Sequence, residues 1–291
     1  TCSNRRWGKW PLPAPFRQSN RGKTVAYLKE FDLTGKVAIV TGAGRGIGKD
    51  IALTFAEAGA DIVAVARTES QIQKTAEEVR ALGRRCLPIP TDITAIEQVQ
   101  NMVQGVLAEF GKIDILVNNA GVEIDKPIAP LPHLKLPPMT LEEWRQVMDT
   151  NITAPFILCQ VIGPHMIERR KGKVINITSG VVGRVGILYN TAYVASKGAL
   201  ALFTRKLAWE WARYRINVNA IGPGGVETEM AAPLFAPESK PFLEKILSQI
   251  PFHSFVRPRD VSLLAVYLAS DASDFVTGQN IYVDGGYTGS G

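Results

Sequence analysis

The chain has 291 residues, 46% hydrophobic and 21% charged, which is ample apolar material for a sizeable buried core. Its net charge of +6 is local: residues 1–30 hold Arg5, Arg6, Lys9, Arg17, Arg21, Lys23 and Lys29 against Glu30 alone, and the remaining 26 basic and 26 acidic residues balance. A neutral body argues against a nucleic-acid partner, and no apolar run approaches the ~18 residues that suggest a membrane span.

Residues 1–31 read as a basic N-terminal extension. Trp7, Trp10, Pro11, Pro13 and Pro15 interrupt it, and it has no apolar stretch like that of a secretory signal. The remainder, 32–291, reads as one domain. Its pattern alternates short β-branched runs with longer periodic segments: KVAIV then 49–58, DIVAVA then 70–82, CLPIP then 96–110, and ILVNNAG. The alternation continues through a single helix over 141–166, KVINIT, a helix over 191–214, INVNAIGPG, a helix over 258–269 and NIYVDGG. Repeated β-α units predict an α/β fold with a single doubly wound (Rossmann) parallel sheet and helices on both faces.

Two segments break the rhythm. Residues 122–139 carry Pro127, Pro130, Pro132, Pro137 and Pro138, which predicts a stiff irregular loop after the fourth strand. Residues 226–256 mix prolines with Met230, Leu234, Phe235, Phe242, Leu247 and Phe252, as expected of an apolar flap over a cleft. Both lie beyond the carboxyl ends of strands, where open α/β sheets bind ligands. Cys2, Cys86 and Cys159 are too few and too scattered for a disulfide framework or a metal site, which suits a reducing, cytoplasmic setting. His133, His165 and His253 have no metal-ligand spacing.

The turn Thr41-Gly42-Ala43-Gly44-Arg45-Gly46-Ile47-Gly48 follows the first strand and opens a helix. Glycines let the backbone approach a pyrophosphate, whose charge the helix N-terminus stabilises. The second strand ends near Ala66-Arg67, where a site for NAD(H) commonly places an acid on the ribose hydroxyl. None is present. Arg67 and Arg45 instead suit a 2′-phosphate, which favours NADP(H), with NAD(H) kept as the alternative.

Tyr193 and Lys197 stand four apart on a predicted helix and share a face. A phenol of pKa ~10 must fall by roughly 3 units, about 4 kcal/mol, to exchange its proton near neutral pH. One positive charge at ~5 Å, with an effective dielectric of ~20, supplies about 3 kcal/mol.

Together these residues resemble the short-chain dehydrogenase/reductase family, over about residues 34–287. Similar to it are the glycine turn, Asp92, Asn118 to Gly121, Asn151, Ser179, Tyr193 with Lys197, the run from Pro223 and Gly224 to Thr228, and Val283 to Gly286. The resemblance implies hydride exchange between a nicotinamide and a carbonyl or alcohol, with Tyr193 as general acid and base. It implies that Lys197 lowers the pKa of Tyr193 and holds the ribose, that Ser179 binds the substrate oxygen, and that Asn151 holds a water. Gly42, Arg45, Gly46, Ile47, Gly48, Asn119, Ala120 and Gly121 would then face the cofactor. Asp92 and Ile93 would contact adenine, and Val226 with Thr228 the carboxamide.

Two departures matter. Ser179 lies fourteen residues before Tyr193, and alignment on Val181-Val182-Gly183 would put Gly180 in its place; Ser179 is preferred because the strand ends beside it. The proline-rich loop is also longer than the family's by roughly ten residues. The expected substrate is a small ketone, 3-oxoacyl compound or similar carbonyl. The alternatives are a sugar or polyol with NAD(H), and a non-catalytic nucleotide sensor or scaffold. A homotetramer is the expected assembly.

Overall fold

The computed structural model of the protein describes residues 28–229, 231–232 and 236–290. The extension up to residue 27, and Met230, Leu234 and Phe235 of the expected flap, lie outside the described residues.

Seven parallel strands form one sheet in the order β3-β2-β1-β4-β5-β6-β7. They are β1 Val37–Thr41, β2 Asp61–Ala66, β3 Cys86–Pro90, β4 Ile115–Asn118, β5 Gly172–Ile177, β6 Ile216–Pro223 and β7 Asn280–Val283. Because helices cover both faces, β1, β4, β5 and β6 are buried along their whole length, which is why they read as continuous apolar runs. Alternate residues of β1 serve different layers. Ala38 and Val40 face α1 (Gly46–Glu57), α2 (Glu69–Ala81) and α8 (Pro258–Ala269), joining Phe55, Ile72 and Val261. Val37 and Ile39 face α3 (Ile96–Phe110), α5 (Ala154–Arg169) and α6 (Thr191–Trp211), joining Val103, Leu158 and Leu207. Each fully buried side chain of this size stabilises by ~1.5–3 kcal/mol. Trp211 packs edge-on over Gly163, where an added Cβ would lie 2.8 Å from the ring, while Trp209 stands 75% exposed.

The expected helix over 141–166 is in fact two. After α4 (Leu141–Met148), which opens with a capping box between Thr140 and Glu143, a π turn at Asp149–Thr153 precedes α5. Pro155 explains the break, since it has no N–H to give to the carbonyl four residues back, that of Asn151. The turn aims the Asn151 side chain inward. The proline-rich segment is irregular, as expected, and α7 (Lys240–Leu247) occupies the second irregular region.

The chain leaves β1 for β2 on one side and returns through α3 to β4 on the other, so a crevice opens at the carboxyl ends of β1 and β4. At the opposite end of the sheet, the 4%-exposed carboxylate of Asp114 fastens the two strands to α5. It accepts from Val37 N at 2.9 Å, from Lys112 at 3.1 Å and from Arg169. Burial pushes its pKa up, but the Arg169 bond, the Val37 amide and Lys112 outweigh burial and hold it below 3.8. Asp114 therefore stabilises the fold above that pH and loses its effect as pH falls through the folded value. We expect Asp114→Asn to cost about 3 kcal/mol at neutral pH. Denaturant titrations of both proteins across pH 3–7 should show the gap narrowing only on the acid side of 3.8.

Candidate active site

A cleft of about 1000 Å3 runs from Arg67 and Asp92 at one end to Tyr193 and Ile250 at the other. Its floor is the crevice between β1 and β4. Thr41 ends β1 with a fully buried hydroxyl that donates to Val117 O at 3.1 Å and accepts from Asn119 N and Ala120 N at 3.0 and 3.1 Å. Asn119 Nδ2 returns a bond to Thr41 O at 2.9 Å, so the glycine turn and the loop after β4 are tied together. Asn119 thus ties its Nδ2 to the turn while the residue still lines the cleft.

Gly42 and Gly46 take φ of +67° and +55°, the left-handed region that favours glycine. No side chain caps α1, so the amides of its first turn stay free where Gly46 and Ile47 line the cleft. A left-handed glycine cradle over uncapped helix amides fits a pyrophosphate. Gly48 does not line the cleft. It lies beneath the turn, where a Cβ would come within 2.3 Å of both Gly42 O and Asn119 Nδ2.

At the first end of the cleft Arg67 is exposed and makes no ion pair among the described residues, and Arg45 meets Glu229 at 3.7 Å, both exposed. Asp92 also lines the cleft, but its carboxylate is engaged by Thr94 N and Oγ1 at 3.0 and 2.7 Å. Ile93, Ala120, Gly121, Pro223, Gly224, Val226 and Thr228 also line the cleft, Gly121 close to Lys197 Nζ.

Ser179, Tyr193 and Lys197 converge at the other end. Ser179 ends the stretch after β5 and bonds the Tyr193 phenol, whereas Gly180 turns toward Pro223 O and Gly224. Lys197 is 4% exposed, gives its Nζ to Ile177 O at 2.8 Å and lies 5.6 Å from the centre of the Tyr193 ring. The spacing expected from the helix is therefore present, but the protein's own field acts otherwise than expected. Burial first, then repulsion from Glu123, push Tyr193 up to about 12 against the Ser179 bond. Burial pushes Lys197 down to about 8, with Glu123 opposing. Desolvation of the phenol and the charge of Glu123 outweigh the Ser179 bond.

Asn151 stands behind the wall. Its Oδ1 accepts from Val122 N at 2.9 Å, and its Nδ2 gives to Val122 O and to Ser196 Oγ at 2.9 and 3.0 Å. Ser196 in turn bonds Tyr193 O at 2.7 Å, so Asn151 braces the loop after β4 against α6.

Glu123, unmarked by any motif, lines the cleft beside these residues and accepts a bond from Asn190 Nδ2. A lone acid two residues beyond Gly121 has no spacing to betray it. Of the expected flap, Phe242 lines the cleft with Ile246, whereas Phe252 is 77% exposed and neither it nor Leu247 reaches the lining. Glu229 lines the cleft; Glu227, Lys240 and His253 do not. His133 bonds Tyr189 Oη at 3.1 Å, outside the lining.

The family model described as enoyl-(acyl carrier protein) reductase matches residues 42–288. A 2-dehydro-3-deoxy-D-gluconate 5-dehydrogenase of Dickeya dadantii is 40% identical over 261 residues, 89% of this chain and 98% of its own length. The chain belongs to the short-chain dehydrogenase/reductase family. It is an oxidoreductase acting on CH–OH groups. Among solved members, a short-chain type dehydrogenase/reductase from Mycobacterium marinum is 37% identical with a TM-score of 0.82, over 90% of this chain and 98% of that one. A gluconate 5-dehydrogenase from Burkholderia cenocepacia J2315, in complex with NADP and tartrate, is 35% identical with a TM-score of 0.80, over 90% and 99%.

The turn's geometry sets a test on this short-chain dehydrogenase/reductase. Gly48→Ala forces a methyl into a backbone carbonyl, which outweighs the ~1 kcal/mol that alanine gains in a helix. We expect a lower melting temperature and NADPH binding weaker by about tenfold or more, read by fluorescence titration. Gly105→Ala, in α3 with nothing within 4 Å, should instead stabilise by ~0.5–1 kcal/mol.

Proposed function

We propose that this short-chain dehydrogenase/reductase interconverts a ketone and a secondary alcohol with NADP(H), Tyr193 acting as acid and base. The observation that carries the reading is the convergence of Tyr193, Ser179 and Lys197 on one wall of a cleft whose far end is the glycine cradle. A bound nicotinamide supplies or accepts the hydride. Tyr193 and Ser179 hold the substrate oxygen, and in reduction the phenolic proton moves to that oxygen. A phenol pushed up to about 12 is fully protonated at neutral pH, as a donor must be. In alcohol oxidation the phenol must first give up its proton, and the ammonium of Lys197 is the cation placed to stabilise the phenolate. Asn151 keeps this wall in position through Val122 and Ser196. Tyr193→Phe is expected to lower NADPH consumption on responsive ketones by about 100- to 10,000-fold, with NADPH binding retained. Undiminished turnover would remove Tyr193 from the role of proton donor.

NADP(H) preference is supported by Arg67, exposed without an ion-pair partner among the described residues, and by Arg45, whose exposed pair with Glu229 is weak enough to exchange for a phosphate. In calorimetry, Arg67→Ala should weaken NADPH binding by about 10- to 100-fold, with a much smaller change for NADH. Equal changes for both would overturn the assignment.

One observation favours a hydroxylated substrate, a sugar or polyol, within this reading. Glu123, Asp125 and Asn190 line the cleft among Val122, Ile187 and Leu188, with Gln146, Asp149 and Gln249 adding further polar groups. The relatives named for sugar-acid substrates lend the same reading support. We also infer a homo-oligomer, tetramer favoured, supported by the exposed Phe156 of α5 and the exposed Leu202 and Trp209 of α6. No helix among the described residues is long and apolar enough to cross a membrane. The buried thiols of Cys86 and Cys159, each pushed up to about 12 by burial, suit a cytoplasmic setting.

A further inference from the structure

Asn190 precedes α6 at the position where an asparagine ordinarily accepts from an amide of the first turn, yet it makes no such bond. The residue is 5% exposed, and its amide donates instead to Glu123 Oε1. Nearby, Asp125 Oδ1 accepts from Tyr189 N at 2.6 Å, and His133 reaches the Tyr189 hydroxyl. The start of the proline-rich loop is thereby pinned to the segment leading into Tyr193, and Glu123 is held at the cleft with its second carboxylate oxygen uncommitted among the described residues. The cleft's other cations, Arg45 and Arg67, line the adenosine end, and Lys197 is turned to Ile177 O. Arg184 gives its guanidinium to Tyr287 O at 3.1 Å and stacks on that ring.

We propose that Glu123, held by Asn190, sets the specificity of the cleft: its carboxylate accepts a hydroxyl on the carbon next to the reacting one, so that neutral α-hydroxyketones and vicinal diols are preferred and a carboxylate at that carbon is rejected. The inference rests on the hydride-transfer reading above and names its substrate class. A hydroxyl donating to a half-buried carboxylate makes a charge-assisted bond, which a plain ketone forgoes. A substrate carboxylate there meets like charge, and the cation that acts on Glu123, Lys197, already gives a bond to Ile177 O.

The experiment compares acetoin, 2-butanone and pyruvate as NADPH-dependent substrates of the wild-type chain, Glu123→Gln and Asn190→Ala. The charge of Glu123 also acts on Tyr193 and Lys197, so rates are read as ratios to 2-butanone, which shares that effect. Wild type should prefer acetoin to 2-butanone by about 10- to 100-fold in kcat/KM, chiefly through KM, with pyruvate poorest. Glu123→Gln should bring the acetoin ratio down by about tenfold or more and raise that of pyruvate, and Asn190→Ala should move both ratios the same way. An acetoin ratio unmoved by both substitutions, or wild-type preference for pyruvate, overturns the role of Glu123 alone. Wild-type protein that consumes NADPH with none of the three overturns the hydride-transfer reading, and this one with it.

Discussion

A single hydroxyl holds the working end of this protein together. Thr41 Oγ1, fully buried, gives its one proton to Val117 O and both lone pairs to the amides of Asn119 and Ala120. Parallel strands alone leave β1 and β4 free to splay where their hydrogen bonding ends. The Thr41 bonds carry the pairing one step further, out to the loops. The glycine turn then inherits its place from Asn119, and the loop after Gly121 inherits its place from Asn151.

The cleft therefore has two sides of different construction. The nucleotide side is backbone, with Gly42 and Gly48 where a Cβ would collide and amides left free by an uncapped helix. The reacting side is a set of side chains under electrostatic tension. A buried amine is drawn toward neutrality, a buried phenol is held protonated, and Glu123 favours the protonated form of both. Glu123 makes proton loss from Tyr193 harder.

Much of this was legible in the sequence because burial on both faces forces β-branched runs, and because glycines packed between a strand and a helix mark a backbone that must come close to a phosphate. Tyr193, Lys197 and Ser179 were legible through spacing and strand ends. What escaped notice lacked periodicity. The break at Asp149–Thr153 was hidden inside an apolar pattern that runs through it, although Pro155 marked it. Thr41 passed for a strand terminus and Asp114 for a polar residue between isoleucines. Glu123 and Asn190 are sixty-seven residues apart, and only the fold makes them neighbours. The direction of the Tyr193 shift depended on burial, which spacing does not reveal.

The proline-rich excursion after β4 is closed at its own base. Met139 N bonds Pro127 O at 2.8 Å, Lys126 pairs with Glu143, and Asp125 has already anchored the incoming strand of chain. Because the cost of such a closed loop grows only with the logarithm of its length, roughly 0.6 kcal/mol per doubling, its tip is thermodynamically cheap to lengthen, shorten or exchange. The protein thus carries a self-closed appendage whose tip can change in length without disturbing the bonds at its base.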